Sequence, residues 1–210
     1  CYYNGSFSRT IVIPFTDITF DLGWWIIPLV FLLYIATTNA VNLLDGLDGL
    51  ATSVSSVIYA TLAIMLTIYG GKLAFDGMSL QSDNIYGLAG LAAITFGGLL
   101  AFLCYNGFPA KIFMGDTGSL ALGGLMASLF AFSGQILLIF VLGIMLILTC
   151  VSVIVQVIYF KLTKGKRVWL MTPLHHHYQY KGVHESKITV CYTVITIVCG
   201  LICIISAILY

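Results

Sequence analysis

Long apolar stretches separated by short polar ones dominate the pattern of this chain. A helix needs about 20 apolar residues to cross a bilayer. No charge falls between positions 118 and 160, and one helix of that length would overshoot a bilayer about twofold, so we divide this run at Ser133-Gly134-Gln135. The fourth helix is short and is expected to begin a little before Leu120. The pattern predicts six transmembrane helices, at roughly Leu22–Leu44, Leu50–Tyr69, Ile85–Tyr105, Leu120–Ser133, Gln135–Phe160 and Ile188–Tyr210.

A shorter segment precedes the first helix. The stretch RTIVIPFTDITFDLG, residues 9–23, alternates apolar and polar residues around Thr16-Asp17, which predicts a small extracytoplasmic β-hairpin. Trp24 and Trp25 then mark a membrane interface. We therefore predict an all-α polytopic membrane protein with this hairpin near its N-terminus, and a single transmembrane domain over residues 1–210.

Composition supports this class. The chain is 60% hydrophobic and 8% charged, whereas soluble domains are about one quarter charged. The net charge of +1 gives no sign of a nucleic-acid partner, and we expect none. The six cysteines form no CxxC pair and mostly fall inside apolar stretches, which favours small buried side chains over a redox or metal motif.

Lysine and arginine predict the orientation. The loops after the first, third and fifth helices carry seven of them, and the opposite side carries Arg9 and Lys72. By the positive-inside rule the richer side is cytoplasmic and both termini lie outside. Three polar clusters fall in the same three loops, so we expect them to converge on the cytoplasmic face.

The first cluster is NAVNLLDGLDGLA, residues 39–51. Residues three apart share a helix face, so Asn42, Asp45 and Asp48 would form one polar edge at a helix end. Gly46 and Gly49 allow a close backbone approach or a helix break. An aspartate within a membrane costs about 2.5–3.5 kcal/mol on insertion scales, which points to function. A polar ligand or hydrated Mg²⁺ would suit these oxygens; the alternative is plain loop residues, with Asp48 as a helix cap.

The second cluster is FPAKIFMGDTGSLALGG, residues 108–124. Asp116 stands alone among apolar residues just before a helix, where it could hold a metal that also touches phosphate. The alternative is a helix cap, which is the favoured interpretation for Thr117 or Ser119. No Walker-type phosphate loop is present, so a nucleoside triphosphatase is disfavoured.

The third cluster is PLHHHYQYKG, with three consecutive histidines at 175–177. Neighbouring side chains on a helix point about 100° apart, and the zinc motif HExxH is absent. Contact with anions or sugars is favoured, with a zinc site or a neutral loop as alternatives. Lys164, Lys166 and Arg167 could draw anionic headgroups, or could serve only as a topology signal.

In this order the three clusters resemble the polyprenyl-phosphate N-acetylhexosamine-1-phosphate transferases. The resemblance covers essentially the whole chain, as the C-terminal six of that family's ten helices. The uninterrupted PLHHH favours the branch that uses N-acetylmuramoyl-pentapeptide over the branch that uses N-acetylglucosamine. It implies that undecaprenyl phosphate attacks UDP-N-acetylmuramoyl-pentapeptide in the bacterial plasma membrane, giving lipid I and UMP, with Mg²⁺ as cofactor and the site facing the cytoplasm. Related enzymes suggest a homodimer.

The resemblance also assigns roles to residues. Asp116 is the implied Mg²⁺ ligand, and Asp45 and Asp48 line the catalytic site with Asn42 beside them. The implied catalytic set further includes His175, His176 and His177, which would contact phosphate or sugar. The implied substrate-binding positions, mostly around the uracil, are Asn42, Gly46, Leu47, Asp48, Asn106, Phe113 and Gly115.

Some positions depart from the family pattern. The family has Phe-Glu and then Gly-Trp after the histidines, whereas this chain has Tyr178-Gln179 and Gly182-Val183, with Glu185 kept. The family's paired aspartates and substrate-binding lysines would precede Cys1, so we expect the 210 residues alone to be inactive and a longer parent to be the enzyme. A transporter is disfavoured because no repeat is visible, and an inactive scaffold because all three motif cores are intact.

Overall fold

The computed structural model describes residues 2–3, 6–7, 10–16 and 18–209. Most of these residues are helical, and short 3₁₀ turns at Gly23–Trp25 and Ile136–Leu138 precede α1 and α5. The α-helices of the described residues are α1 (Ile26–Leu44), α2 (Leu50–Phe75), α3 (Ser79–Asn106), α4 (Gly115–Phe132), α5 (Ile139–Leu142), α6 (Ile144–Leu162), α7 (Leu174–Tyr180) and α8 (Glu185–Leu209).

Five helical segments in the described residues are long and apolar enough to cross a membrane, which indicates a multi-pass membrane protein. Helix α4, the fourth of the six predicted spans, begins a little before Leu120 as expected. It is not among the five, since Gly, Asp, Thr and Ser in its first turns lower its hydropathy. The five are Gly23–Leu44, Leu50–Phe75, Ser79–Asn106, Ile144–Leu162 and Glu185–Leu209.

The long uncharged run is divided where the sequence predicted. A turn follows α4, in which Gly134 takes φ +74°, a value that favours glycine. A second interruption was not predicted: α5 ends at Leu142, and α6 starts at Ile144, after the single residue Gly143. The predicted helix at 135–160 is therefore broken near its start.

The predicted hairpin is present. Strands β3 (Thr10–Val12) and β4 (Thr19–Asp21) pair antiparallel, with Thr10 opposite Asp21. The Val12 N–H donates to the Gly134 carbonyl at 3.1 Å, so the hairpin lies against the turn after α4. Positions 1, 9, 17 and 210 of the predicted segments lie outside the described residues. A second antiparallel pair, β1 (Tyr2–Tyr3) and β2 (Ser6–Phe7), was not predicted.

Helix α2 is the centre of the bundle. Within its most apolar window 61% of the residues are buried, against 17% for α3. Small residues let its neighbours approach closely, as is usual between membrane helices. A Cβ added at Gly200 of α8 would lie 2.5 Å from the Thr61 hydroxyl of α2. A Cβ at Gly123 of α4 would lie 2.5 Å from the Thr38 backbone of α1. These contacts fix the helix ends that carry the polar clusters.

Candidate active site

The turn between α1 and α2 forms one wall of the candidate site. Helix α1 ends just before Asp45, and Gly49 takes φ +70° before α2 begins. Both Asp45 and Asp48 therefore lie in a turn rather than on a helix. The predicted helical edge of Asn42, Asp45 and Asp48 is wrong in this respect, because the backbone leaves the helical conformation at Asp45, where ψ is 45°.

Asp48 ties this turn to two other segments. Its Oδ2 atom accepts a hydrogen bond from the Ala110 N–H at 2.9 Å. Its backbone carbonyl accepts one from the Thr189 hydroxyl of α8 at 3.3 Å. Gly49 occupies the N-cap position of α2, so the alternative role of Asp48 as a helix cap is wrong.

Asp116 comes from the first turn of α4 and meets Asn42 of α1. The Asn42 Nδ2 atom donates to Asp116 Oδ1 at 2.9 Å and to the Ser119 hydroxyl at 3.0 Å. Ser119 is fully buried, and its hydroxyl donates to the Gly115 carbonyl at 3.0 Å. Met114 is the N-cap residue, so the capping alternative for Thr117 and Ser119 is wrong: both lie inside the helix.

The carboxyl group of Asp45 lies within the field of Asp116. Burial raises the pKa of Asp45, and the negative charge of Asp116 raises it further, while the Gly115 backbone N–H opposes both. A like charge disfavours a second ionised carboxylate. Two carboxylates, one from the turn after α1 and one from the first turn of α4, thus share one region that favours a cation.

Asn106, the last residue of α3, and Phe113, in the loop that follows, have very different surroundings. Asn106 is 3% exposed; its Oδ1 accepts from the Thr52 hydroxyl at 2.6 Å and its Nδ2 donates to the Ile112 carbonyl at 2.9 Å. Its side chain therefore shapes the loop. Phe113 is 73% exposed. An aromatic ring held open beside the Asp116 helix is available for stacking on a ligand.

The histidine run lies on α7 and closes over the turn between α1 and α2. A Cβ added at Gly46 would lie 2.6 Å from His175 Nε2 and 3.0 Å from His176 Nε2. Only a residue without a side chain fits this contact. His175 is fully buried, and neither of its ring nitrogens has a partner in the described residues. Burial lowers the pKa of His175 to about 3, and His176 lowers it too, so its ring is neutral.

His176 is oriented by a short hydrogen-bonded chain. The Gln179 Nε2 atom donates to Glu185 Oε1 at 2.6 Å, and Gln179 Oε1 lies 2.9 Å from His176 Nδ1. An ionised carboxylate only accepts, so the amide NH₂ group must face Glu185 and the amide oxygen must face the ring. The His176 Nδ1 atom is therefore the donor. In the neutral ring this leaves Nε2, the atom that faces Gly46, as an acceptor.

His177 points elsewhere. Its Nδ1 atom accepts a hydrogen bond from the Leu170 N–H at 3.1 Å. The three histidines thus have three different surroundings, as expected for neighbours on a helix. In the part of the chain that the structure describes, no three His, Cys, Asp or Glu side chains are placed to hold a metal ion.

Magnesium makes different demands from zinc. It prefers oxygen ligands and commonly binds through one or two carboxylates, with water and substrate phosphates completing its shell. Asp45 and Asp116 supply carboxylate oxygens, and their mutual repulsion would be relieved by a cation. The residues fit a magnesium ion that is shared with a phosphate ligand.

The structure brings the three sequence clusters together through the contacts of Asn42 with Asp116, Asp48 with Ala110 and Gly46 with His175. Three contributors were missed. The sequence offered Ser119 only as a cap, treated Gln179 as a departure from a pattern, and gave no sign of Thr189. The spacing of Ser119 three residues after Asp116 could have suggested a shared face.

The fold and the site define a class: an integral membrane protein with a polar, cation-favouring site at one end of its helices. The site takes its carboxylates from the turn after α1 and from the first turn of α4, and its histidines from α7. Comparison with known proteins is more specific. The family described as glycosyl transferase family 4 matches residues 1–134, and the chain belongs to this family.

Curated relatives of this family match most of the length of the chain. A phospho-N-acetylmuramoyl-pentapeptide-transferase of Clostridium kluyveri is 43% identical over 204 residues, which is 96% of this chain and 60% of that protein. Proteins with the same name from Clostridium novyi and Halalkalibacterium halodurans are 41% and 39% identical, over 99% and 89% of this chain and 59% and 53% of their own lengths. The chain thus spans between half and two thirds of these relatives.

Proposed function

We propose that the protein transfers phospho-N-acetylmuramoyl-pentapeptide from its UDP derivative to undecaprenyl phosphate, forming lipid I and UMP in peptidoglycan synthesis. The names of the relatives described above give phospho-N-acetylmuramoyl-pentapeptide as the group that they transfer. The structural observation that carries the proposal is the hydrogen bond from Asn42, near the end of the span Gly23–Leu44, to Asp116 of α4, which brings Asp116 beside the turn that carries Asp45.

This position suits the chemistry. A phosphate oxygen of the lipid forms a bond to the sugar-linked phosphorus, and the bond from that phosphorus to the oxygen of UMP breaks. One reactant is held in the membrane and the other is soluble, so the site must open at the boundary between lipid and water. Asp45 directly follows the span Gly23–Leu44 and lies at such a boundary.

The cofactor in this proposal is Mg²⁺. Asp116 and Asp45 would hold it, and Asn42 would keep Asp116 in place through their hydrogen bond at 2.9 Å. The ion would neutralise diphosphate charge and stabilise the departing UMP.

The remaining residues bind and orient the substrate. Phe113 is exposed and would stack on the uracil ring, with Gly46, Leu47 and Gly115 nearby in the implied nucleotide site. His176 presents Nε2 beside Gly46 and would accept a hydrogen bond from a substrate hydroxyl or amide. Asn106 would act through the loop that carries Phe113.

The proposal includes the setting of the protein. The site faces the cytoplasm of the bacterial plasma membrane, because seven of the nine Lys and Arg fall in the loops on its side. The family resemblance further leads us to propose a homodimer, which light scattering of the detergent-solubilised protein would test.

The decisive experiment measures UMP release by the full-length protein in detergent, with Mg²⁺ and undecaprenyl phosphate. UDP-N-acetylmuramoyl-pentapeptide is supplied in one reaction and UDP-N-acetylglucosamine in a second. We expect release from the first donor alone, and its loss when EDTA removes the metal.

A matched pair of variants controls for folding. Asp116→Asn is expected to be inactive, whereas Asp83→Asn, an exposed position in α3, is expected to be fully active. Release only from UDP-N-acetylglucosamine would move the protein to the sister branch. No release from either donor would overturn the proposal.

A further inference from the structure

A second open groove lies between the end of α6 and the segment that leads to α7. Its volume is about 530 Å³, and none of the predicted site residues lines it. Helix α6 is one of the membrane-spanning segments and ends at Leu162, so the groove lies where lipid headgroups meet the protein.

The groove is held open by a glutamine. Gln156 Oε1 accepts from the Val168 and Trp169 N–H groups at 3.0 and 3.1 Å, and Gln156 Nε2 donates to the Trp169 carbonyl at 3.1 Å. Ser152 also accepts from the Leu174 N–H at 3.1 Å. These bonds fix the connecting segment onto α6 at both ends and make the groove a built feature of the fold.

The lining combines two kinds of surface. Lys161 and Arg167 supply positive charge, and both are exposed. Val157 and Phe160 of α6 supply an apolar wall, and they are 46% and 43% exposed. Cations beside an exposed apolar wall match a ligand that is anionic at one end and apolar at the other.

The charge in this region is unbalanced. No aspartate or glutamate occurs between Asp116 and Glu185 in the sequence. Within the described residues, Lys161 and Arg167 make no ion pair, and Lys164 and Lys166 add further charge to the same segment. A basic cluster beside a membrane helix attracts anionic lipid, at about 1 kcal/mol per Lys or Arg near the surface.

We propose that this groove binds an anionic glycerophospholipid of the surrounding membrane. Its phosphate contacts Lys161 and Arg167, and the start of its acyl chains lies against Val157 and Phe160. A bulk lipid fits better than the lipid substrate, because the groove includes exposed apolar side chains of the membrane-spanning helix α6 and shares no residue with the predicted site.

A lipid bound in the groove would also affect α7, the helix that carries the histidines, through hydrogen bonds of the connecting segment. Arg167 Nη1 donates to the Leu170 carbonyl at 3.4 Å, and the Leu170 N–H donates to His177 Nδ1 at 3.1 Å. A lipid held by Arg167 therefore steadies the segment that leads into α7.

The test counts lipids bound to the full-length protein by native mass spectrometry. Phosphatidylglycerol and phosphatidylcholine with identical chains are titrated in a neutral detergent. We expect a phosphatidylglycerol preference in the unmodified protein, and about 30-fold weaker binding in Lys161→Gln/Arg167→Gln, since each basic residue near the surface contributes about fivefold. The matched control is Lys181→Gln/Lys187→Gln, which removes two charges in neighbouring cytoplasmic-loop segments and should keep the preference.

Further measurements decide the remaining outcomes. Arg167→Lys keeps the charge and should retain most of the binding, which separates loss of charge from misfolding. If both double variants lose phosphatidylglycerol binding equally, the groove is overturned as a site, since any basic residue near the membrane would then contribute as much as Lys161 and Arg167. Absence of a phosphatidylglycerol preference would overturn it as well. Displacement of the bound lipid by equimolar undecaprenyl phosphate would overturn the glycerophospholipid as occupant.

Discussion

Two segments border the candidate site, and they are built in opposite ways. The turn at residues 45–49 is partly enclosed: Leu47 is 8% exposed and Gly49 is buried, and buried His175 packs against one side of Gly46, which is itself exposed. The loop at residues 107–114 is open, with Phe108 50% and Phe113 73% exposed. Both lie at the same end of the bundle and are joined through the bond of Asp48 to Ala110.

This difference suggests that the turn holds side chains in position, whereas the loop contacts the ligand. Groups in the enclosed turn are held by the fold, so changing them should disturb geometry as well as chemistry. Groups in the open loop make few contacts with the protein, so changing them should alter ligand binding while leaving stability unchanged. Substitutions on the two sides therefore test whether one wall is rigid and the other receives the ligand.

The largest effect is expected for the carboxylates. Asp116→Asn and Asp48→Asn should each lower kcat by about 10²-fold or more, because Asp116 would lose the charge that holds the metal ion beside the reacting phosphates and Asp48 would lose a carboxylate implied to line the catalytic site. Thermal unfolding should change little, since asparagine keeps an oxygen for the contacts with Asn42 and Ala110. UMP release and the melting temperature are the measurements. Full activity in either variant would remove it from the catalytic set.

Gly46→Ala is expected to be nearly as damaging. The new Cβ would lie 2.6 Å from His175 Nε2, in a contact that a buried ring cannot yield easily. Both the melting temperature and UMP release should fall. Gly97→Ala is the matched control, because nothing lies within 4 Å of a Cβ there. If both variants behave like the unmodified protein, the enclosed wall is not rigid.

Much of this arrangement could be predicted from the sequence. A bilayer of given thickness needs helices of a certain length, so the apolar runs located the spans. The first and last spans agree within a few residues, whereas α2 ends six residues after the predicted Tyr69 and α3 begins six residues before the predicted Ile85. The alternation of sides then brought three distant polar clusters to one end of the bundle. The contact of Asn42 with Asp116 agrees with that expectation.

Other features depend on tertiary packing and could not be predicted. Nothing local to Asn42, Asp45 and Asp48 shows that α1 stops at Leu44 and that α2 starts only after Gly49, which packs near Gly107. The role of Gln179 was equally hidden, since it depends on two partners, His176 and Glu185, that only the folded chain brings together.

On the open side, Phe113→Ala should weaken binding of the nucleotide by about tenfold, the usual contribution of one aromatic stacked on a base. Stability should be unchanged because the ring is largely exposed. Isothermal titration with UMP measures the effect, and Phe113→Trp should restore binding. Phe75→Ala, exposed at the opposite end, is the control. Unchanged UMP affinity in Phe113→Ala would place the base elsewhere.

The enclosed side should also show a pH dependence of stability. The folded-state pKa of His175 is about 3 against an ordinary 6.5, so the unfolded chain binds more protons between these values. Stability is therefore lost as pH falls from about 6.5 toward 3. Asp45 acts in the opposite direction, because its raised pKa favours protonation in the folded state.

Comparison of variants separates the contribution of His175 to the pH dependence of stability from that of Asp45. The melting temperature of His175→Leu, measured from pH 7.5 to 4.5, should fall less than that of the unmodified protein. The control His184→Gln changes an exposed histidine and should leave the slope as it was. Equal slopes in all three proteins would show that His175 accepts a proton in the folded state.

The smallest effect is expected at Gln179, which orients a ring without facing the carboxylates. Gln179→Leu removes the acceptor for His176 Nδ1 and should lower kcat about fivefold, the equivalent of one neutral hydrogen bond. A merely structural role would give the same loss of kcat, so the decisive measurement is the tautomer of His176.

Nitrogen-15 NMR should show the His176 proton on Nδ1 in the unmodified protein and a mixture of the two tautomers in Gln179→Leu. Glu185→Gln should give a mixture of tautomers as well. The new amide at position 185 can offer either its oxygen or its NH₂ group to Gln179, so the Gln179 side chain is no longer held in one orientation. Identical nitrogen signals in all three proteins would show that the hydrogen bonds of Gln179 do not select the His176 tautomer. A bound ligand would then have to determine whether His176 Nε2 is an acceptor.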